Sequence, residues 1–204
     1  ELGFAEADPS SDVEGYDSAY KLSILMMLCY GQQIPFEKIY CQGITKITAL
    51  DIQMAKEFDY RIKLMGISKL CEDGRVEARV HPVMISTDNP IAHVGGAFNA
   101  IQYIGDYVGE GMLYGYGAGG DPTASAVVSD VIEIAQSLNQ KENALSPVGF
   151  ALQHLQTAEP RDIANQVCPY YLRLMVLDKP SVLADITKIL GENQISIQHI
   201  YQHG

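Results

Sequence analysis

The stretch Phe4–Lys21 concentrates groups that can do chemistry: Glu6, Asp8, Asp12, Glu14 and Asp17, followed by Lys21. Asp17 and Lys21 are four apart, so on a helix they share one face, one turn from each other. Pro9 restricts both itself and Asp8, so the acids before the helix are expected on irregular backbone. A loop of acids facing a helical lysine can cradle a small amino acid. Such a ligand has an ammonium to be held and an oxygen that needs a proton donor. On spacing alone a competing reading stands: a solvated acidic loop and a surface Asp–Lys pair that contributes a few tenths of a kcal/mol.

The elements that must position these groups follow from pattern. Asp12 can cap a helix from about Val13 to Tyr30, closed by Gly31, with Leu22, Leu25, Met26, Leu28 and Cys29 as its buried face. A short strand is expected over 38–42. Thr48-Ala-Leu-Asp51 has the form of a capping box and opens a helix to about Phe58. Residues 60–70 and 75–85 alternate as strands joined by Glu72-Asp73-Gly74, and a second hairpin is expected over 97–104 and 107–114. Residues 86–94, with Asn89-Pro90, read as a loop. Helices against a largely antiparallel mixed sheet make an α+β fold.

Gly115-Tyr116-Gly117-Ala118-Gly119-Gly120 then enters an amphipathic helix to about Leu138. Glycine turns at a helix start allow close approach of a phosphate or a planar ring. The spacing is not that of a dinucleotide fingerprint, and a structural turn explains it equally well. Residues 140–168 read as a linker with one short helix near 162–166. After it come a strand over 170–177, a turn at Asp178-Lys179-Pro180-Ser181, a helix over 182–193 and a strand over 195–201.

Bulk properties exclude some partners. The 204 residues carry a net charge of −11, which argues against nucleic acid and anionic membrane. No apolar run is long enough to span a bilayer. Cys29, Cys41, Cys71 and Cys168 are scattered without metal-ligand spacing, so no metal site is expected, and a reducing, cytoplasmic setting is. The chain starts without Met and stops at Gly204 inside what reads as a unit, so a piece of a longer polypeptide is expected.

Two motif blocks carry a resemblance. E-x-D-P-x-x-D-V-x-G-x-D-x-x-x-K, at 6–21, and G-x-G-A-G-x-x-P-T-A-S-A-V, at 115–127, resemble the signatures of homoserine dehydrogenase. D-K-P-x-V-L-A-x-I-x-x-I-L, at 178–190, resembles the opening of an ACT regulatory domain, although such domains often carry Gly where this chain has Ser181. The resemblance implies a catalytic, substrate-binding and dimerisation domain over 1–139, a linker over 140–168 and a partial ACT domain over 169–204. It implies an oxidoreductase that interconverts L-homoserine and L-aspartate 4-semialdehyde with NAD or NADP, in threonine, methionine and isoleucine biosynthesis. Lys21 then matches the proton-exchanging lysine and Glu6 the carboxylate that binds homoserine. Asp12 and Asp17 match acids near the substrate ammonium or the lysine, and Gly117 and Gly119 match the turn on the cofactor. A homodimer or homotetramer is implied, with threonine as a candidate effector. The nucleotide-binding domain is not in this chain; in the family it lies upstream. The chain alone is therefore expected to turn over little, and the helix up to Leu138 to expose an apolar face. The alternative class is a non-catalytic amino-acid-binding, regulatory and dimerisation module.

Overall fold

A computed structural model describes residues 8–138 and 154–202. Two compact units divide the chain, 1–166 and 167–204. The first unit is α+β. Its centre is a three-stranded sheet in the order β2-β4-β3, formed by Tyr40–Cys41, Val76–Ser86 and Tyr60–Leu70. Strands β3 and β4 pair antiparallel from Tyr60↔Ser86 to Leu70↔Val76, and β2 runs parallel to β4. The turn between them is set by Gly74 at φ +78° and by Asp73, which accepts from the Arg75 N–H at 3.1 Å.

Alternation decides what each sheet face does. Leu64, Val76, Ala78 and Val80 point to one side and meet Ala19, Leu22 and Met26 of helix α2, Tyr16–Tyr30, together with Ile34 and Ile39. Gly66 lies under Leu22, where a Cβ would sit 3.6 Å from its carbons. The other face carries Met65, Val83 and Ile85 against Ile91 and Ala92 of a 3-10 turn, Pro90–His93, capped by Asn89. Helix α3, Ala49–Glu57, starts with the expected capping box: Thr48 accepts from the Asp51 N–H, and buried Asp51 accepts from the Thr48 N–H at 2.8 Å. Strands β5, Phe98–Gly105, and β6, Gly109–Tyr116, form the second hairpin and lead into helix α4, Gly120–Leu138. Helix α4 buries none of its described side chains and leaves Val127, Val131, Ile132 and Ile134 exposed, the open apolar face expected of it.

Three expectations are corrected. The helix at the chemical stretch is broken: α1, Ser10–Val13, ends before Gly15, whose φ of +86° starts α2 afresh. Asp12 therefore lies inside α1 and is not a cap; Pro9, at the start, fits the turn that opens α1. The buried stripe of α2 is narrower than expected, since Leu28 and Cys29 are exposed. Thirdly, residues 156–166 are no free linker. Strand β7, Gln156–Thr157, pairs with β1, Gln32–Gln33, just after α2, and the Arg161 N–H donates to Val76 O at 2.8 Å. Glu77, on β4, then holds Arg161 and Gln166 through its carboxylate.

The second unit contains one helix, α5, Val182–Glu192. The strands expected over 170–177 and 195–201 are not formed among the described residues. In a split β-α-β unit the two strands are separated by a third that bonds to both, and no such strand is described here. Ser181 precedes α5 at φ +75°, a left-handed conformation that disfavours a side chain. Ser181→Gly is expected to stabilise α5 by about 1 kcal/mol, read as slower amide exchange across 182–192.

Candidate functional site

Asp8 organises the entry to the site. Its Oδ1 accepts from the Ser10 N–H at 3.0 Å and from the Ser10 hydroxyl at 2.6 Å. These two bonds hold its carboxyl below the usual carboxylate range. The two bonds are thus present at neutral pH and are lost as acid titrates the carboxylate through that lowered value. Asp8 is a structural residue of the acidic stretch.

On α2 the expected pair forms: Lys21 Nζ donates to Asp17 Oδ2 at 2.6 Å, with the two side chains 52% and 41% exposed. A pair so open contributes only a few tenths of a kcal/mol to folding. What it does provide is an ammonium held in one place by a carboxylate, on a helix whose opposite face is anchored by fully buried Ala19 and Met26. Asp12 stands on α1, exposed, and its carboxylate meets no side-chain partner among the described residues. Glu6 lies outside the described residues.

Gly117 and Gly119 follow β6. The Gly117 N–H donates to Ala97 O at 2.9 Å, continuing the hairpin ladder. A Cβ on Gly117 would meet the amide end of the Asn99 side chain, which can rotate away. Gly119, at φ +130°, opens α4, and a Cβ on neighbouring Gly115 or Gly120 would meet open space. No hydrogen bond or ion pair among the described residues joins this turn to α2. The structure therefore brings Asp17 and Lys21 together and leaves the glycine turn as a separate, accessible surface.

Gly43 was not singled out from the sequence. It is buried against the turn between α1 and α2, where a Cβ would lie 2.5 Å from Val13 O and 2.6 Å from Glu14 Cα. Nearby, the half-buried Cys41 thiol donates to Glu14 O at 3.3 Å. Burial, and secondarily the Glu14 charge, push its pKa up, so the thiol stays protonated. Among the described residues no group of His, Cys, Asp and Glu is placed to hold a metal ion. No described helix is long and apolar enough to cross a membrane.

The protein-family model described as homoserine dehydrogenase matches residues 1–132. The chain belongs to the homoserine dehydrogenase family. It is 45% identical over 201 residues to the homoserine dehydrogenase of Helicobacter pylori, covering 98% of this chain and 46% of that protein. The homoserine dehydrogenase of Pseudomonas aeruginosa is 42% identical over 202 residues, again 98% of this chain and 46% of that protein. A crystal structure of a homoserine dehydrogenase from Thiobacillus denitrificans superposes with a TM-score of 0.84 at 38% identity, over 97% of this chain and 46% of that one. The chain thus spans about half the length of the homoserine dehydrogenases it matches.

Proposed function

We propose that this chain is the substrate-binding and catalytic part of an enzyme that interconverts L-homoserine and L-aspartate 4-semialdehyde, the oxidoreductase step that serves threonine, methionine and isoleucine biosynthesis in the cytoplasm. The observation that carries the reading is the Asp17–Lys21 pair at 2.6 Å within a motif block shared with the family. Lys21 is the proton carrier. As the semialdehyde carbonyl is reduced, its oxygen gains negative charge, and the ammonium donates a proton to it. In the oxidising direction the amine accepts that proton from the homoserine hydroxyl. Asp17 holds the nitrogen in place through their 2.6 Å ion pair. Glu6 and Asp12 supply the negative charge that holds the substrate's own ammonium.

NAD or NADP supplies or accepts the hydride when bound. The open glycine turn fits such a group. Gly115 and Gly120 would each carry a Cβ into open space, and Gly117 and Gly119 are the residues of this chain that would touch it. Most of the binding is assigned to a nucleotide-binding domain outside this chain. The exposed apolar residues of the second hairpin, Ile104, Val108 and Leu113 among them, support assembly into a homodimer or homotetramer. Helix α5 with its Asp178-Lys179-Pro180-Ser181 entry supports a partial ACT domain with threonine as effector.

The reading is tested with this chain joined to a nucleotide-binding half, following formation of reduced nicotinamide. Homoserine is expected to be oxidised about a hundredfold more efficiently than 4-hydroxybutyrate, which lacks the ammonium. Glu6→Ala is expected to raise KM for homoserine more than it lowers kcat. Equal use of the two alcohols would refute an acid cradle for an amino acid.

A further inference from the structure

Asp12 and the Asp17–Lys21 pair sit on two helices, α1 and α2, with only Glu14 and Gly15 between them. A two-residue joint at a left-handed glycine is free to swing unless something clamps it. Three contacts clamp it to the sheet. The Ile44 N–H donates to Val13 O at 2.9 Å, the Cys41 thiol donates to Glu14 O at 3.3 Å, and the Gln42 N–H donates to Val80 O of β4 at 2.8 Å. The loop that grips the joint is therefore itself strung from the central strand of the sheet. The grip needs Gly43 to have no side chain: a Cβ there would lie 2.5 Å from Val13 O, 2.6 Å from Glu14 Cα and 2.7 Å from Glu14 Oε2. Two of those three atoms belong to the backbone, so they cannot rotate out of the way. Gly15 is gripped from the other side, where a Cβ would lie 3.0 Å from Val80 Cγ1 and 3.2 Å from Cys41 Sγ.

We infer that Gly43 is a positioning residue, which lets loop 41–44 close on the α1–α2 joint and so fixes the stance of Asp12 relative to the Asp17–Lys21 pair for substrate binding. The inference deepens the proposed homoserine site and rests on it. A methyl group on Gly43 pushes the joint off the loop by about an ångström, and displacements of that size cost a positioned site at least about tenfold in affinity or rate. The sheet beneath, with its own core of Val76, Ala78 and Val80, does not depend on the joint for its strand pairing.

The experiment uses this chain joined to a nucleotide-binding half, with L-homoserine as the ligand and calorimetric binding, amide exchange and the rate of Cys41 alkylation as readouts. In Gly43→Ala, Ile44 exchange and Cys41 alkylation are expected to accelerate, and homoserine Kd to rise at least about tenfold, while β3–β4 amides keep their protection. Gly74→Ala is the control. Its glycine is also left-handed but has nothing within 4 Å of its Cβ position, so it strains the chain far from the joint and should leave Kd unchanged. Should Gly43→Ala not fold, Cys41→Ala removes one clamp alone and is expected to raise Kd about threefold. Unchanged homoserine affinity in Gly43→Ala, or an equal loss in Gly74→Ala, overturns the inference and leaves the homoserine site standing. A wild-type chain that binds no homoserine refutes the site itself, and the positioning role with it.

Discussion

Lys21→Ala, in a homoserine dehydrogenase carrying this chain as its catalytic part, is expected to lower kcat by about 10²–10⁴-fold in both directions. Unfolding should change by less than about 0.5 kcal/mol. The two expectations come from the same observation. The Lys21 side chain is 52% exposed and, among the described residues, its ion pair is with Asp17, so little stability rides on it. Its proposed value lies in the transition state, where an alkoxide with no proton donor is a poor intermediate. Because that interaction is made as charge develops, kcat and kcat/KM should fall together. Lys21→Arg keeps the charge but not the proton chemistry, since a guanidinium does not deprotonate in this pH range. It should therefore be nearly as slow as the alanine variant. An alanine variant that folds and turns over within tenfold of wild type would reduce Lys21 to a surface charge.

The second large effect is on stability. Met26 is fully buried, five residues beyond Lys21 on the same helix, in the cluster with Ile34, Val76 and Val80. Met26→Ala is expected to cost about 2–5 kcal/mol, from lost transfer energy and the cavity left where α2 rests on the sheet. Met26→Leu, close in volume, should cost less than about 1.5 kcal/mol. Urea unfolding followed by circular dichroism distinguishes them. The contrast with Lys21 separates the two faces of α2: one seats the helix and the other carries the proposed chemistry. If Met26→Ala unfolded at the wild-type midpoint, α2 would not be held by this core.

Much of the fold was legible because its signals are local. The β3–β4 hairpin follows from alternation and a good turn at 72–74, and α3 from a capping box that the Thr48 and Asp51 contacts confirm. The Asp17–Lys21 contact follows from helical spacing alone. What failed depended on partners distant in sequence. The break at Gly15 is invisible in the sequence because a glycine within a helical run is tolerated; the groups that leave no room for a side chain there, Val80 Cγ1 at 3.0 Å and Cys41 Sγ at 3.2 Å from a Cβ, are distant in sequence. The seating of 156–166 on β1 and β4 uses a two-residue strand and single backbone bonds, which leave no periodic trace. Strands over 170–177 and 195–201 have the right composition, but a strand is made by its neighbour, and none is described beside them. Gly43 carries no signal of its own, because the backbone it must avoid comes from thirty residues earlier in the chain.

The proton-carrying role of Lys21 is tested most directly by restoring the lost group from solution. Homoserine oxidation by the Lys21→Ala enzyme is measured at increasing concentrations of methylamine and ethylamine, at fixed ionic strength. The account predicts that turnover rises with amine concentration, varies with amine basicity, and shows no such response in the wild type. A Lys21→Ala enzyme that oxidises homoserine at close to the wild-type rate without any added amine would contradict it.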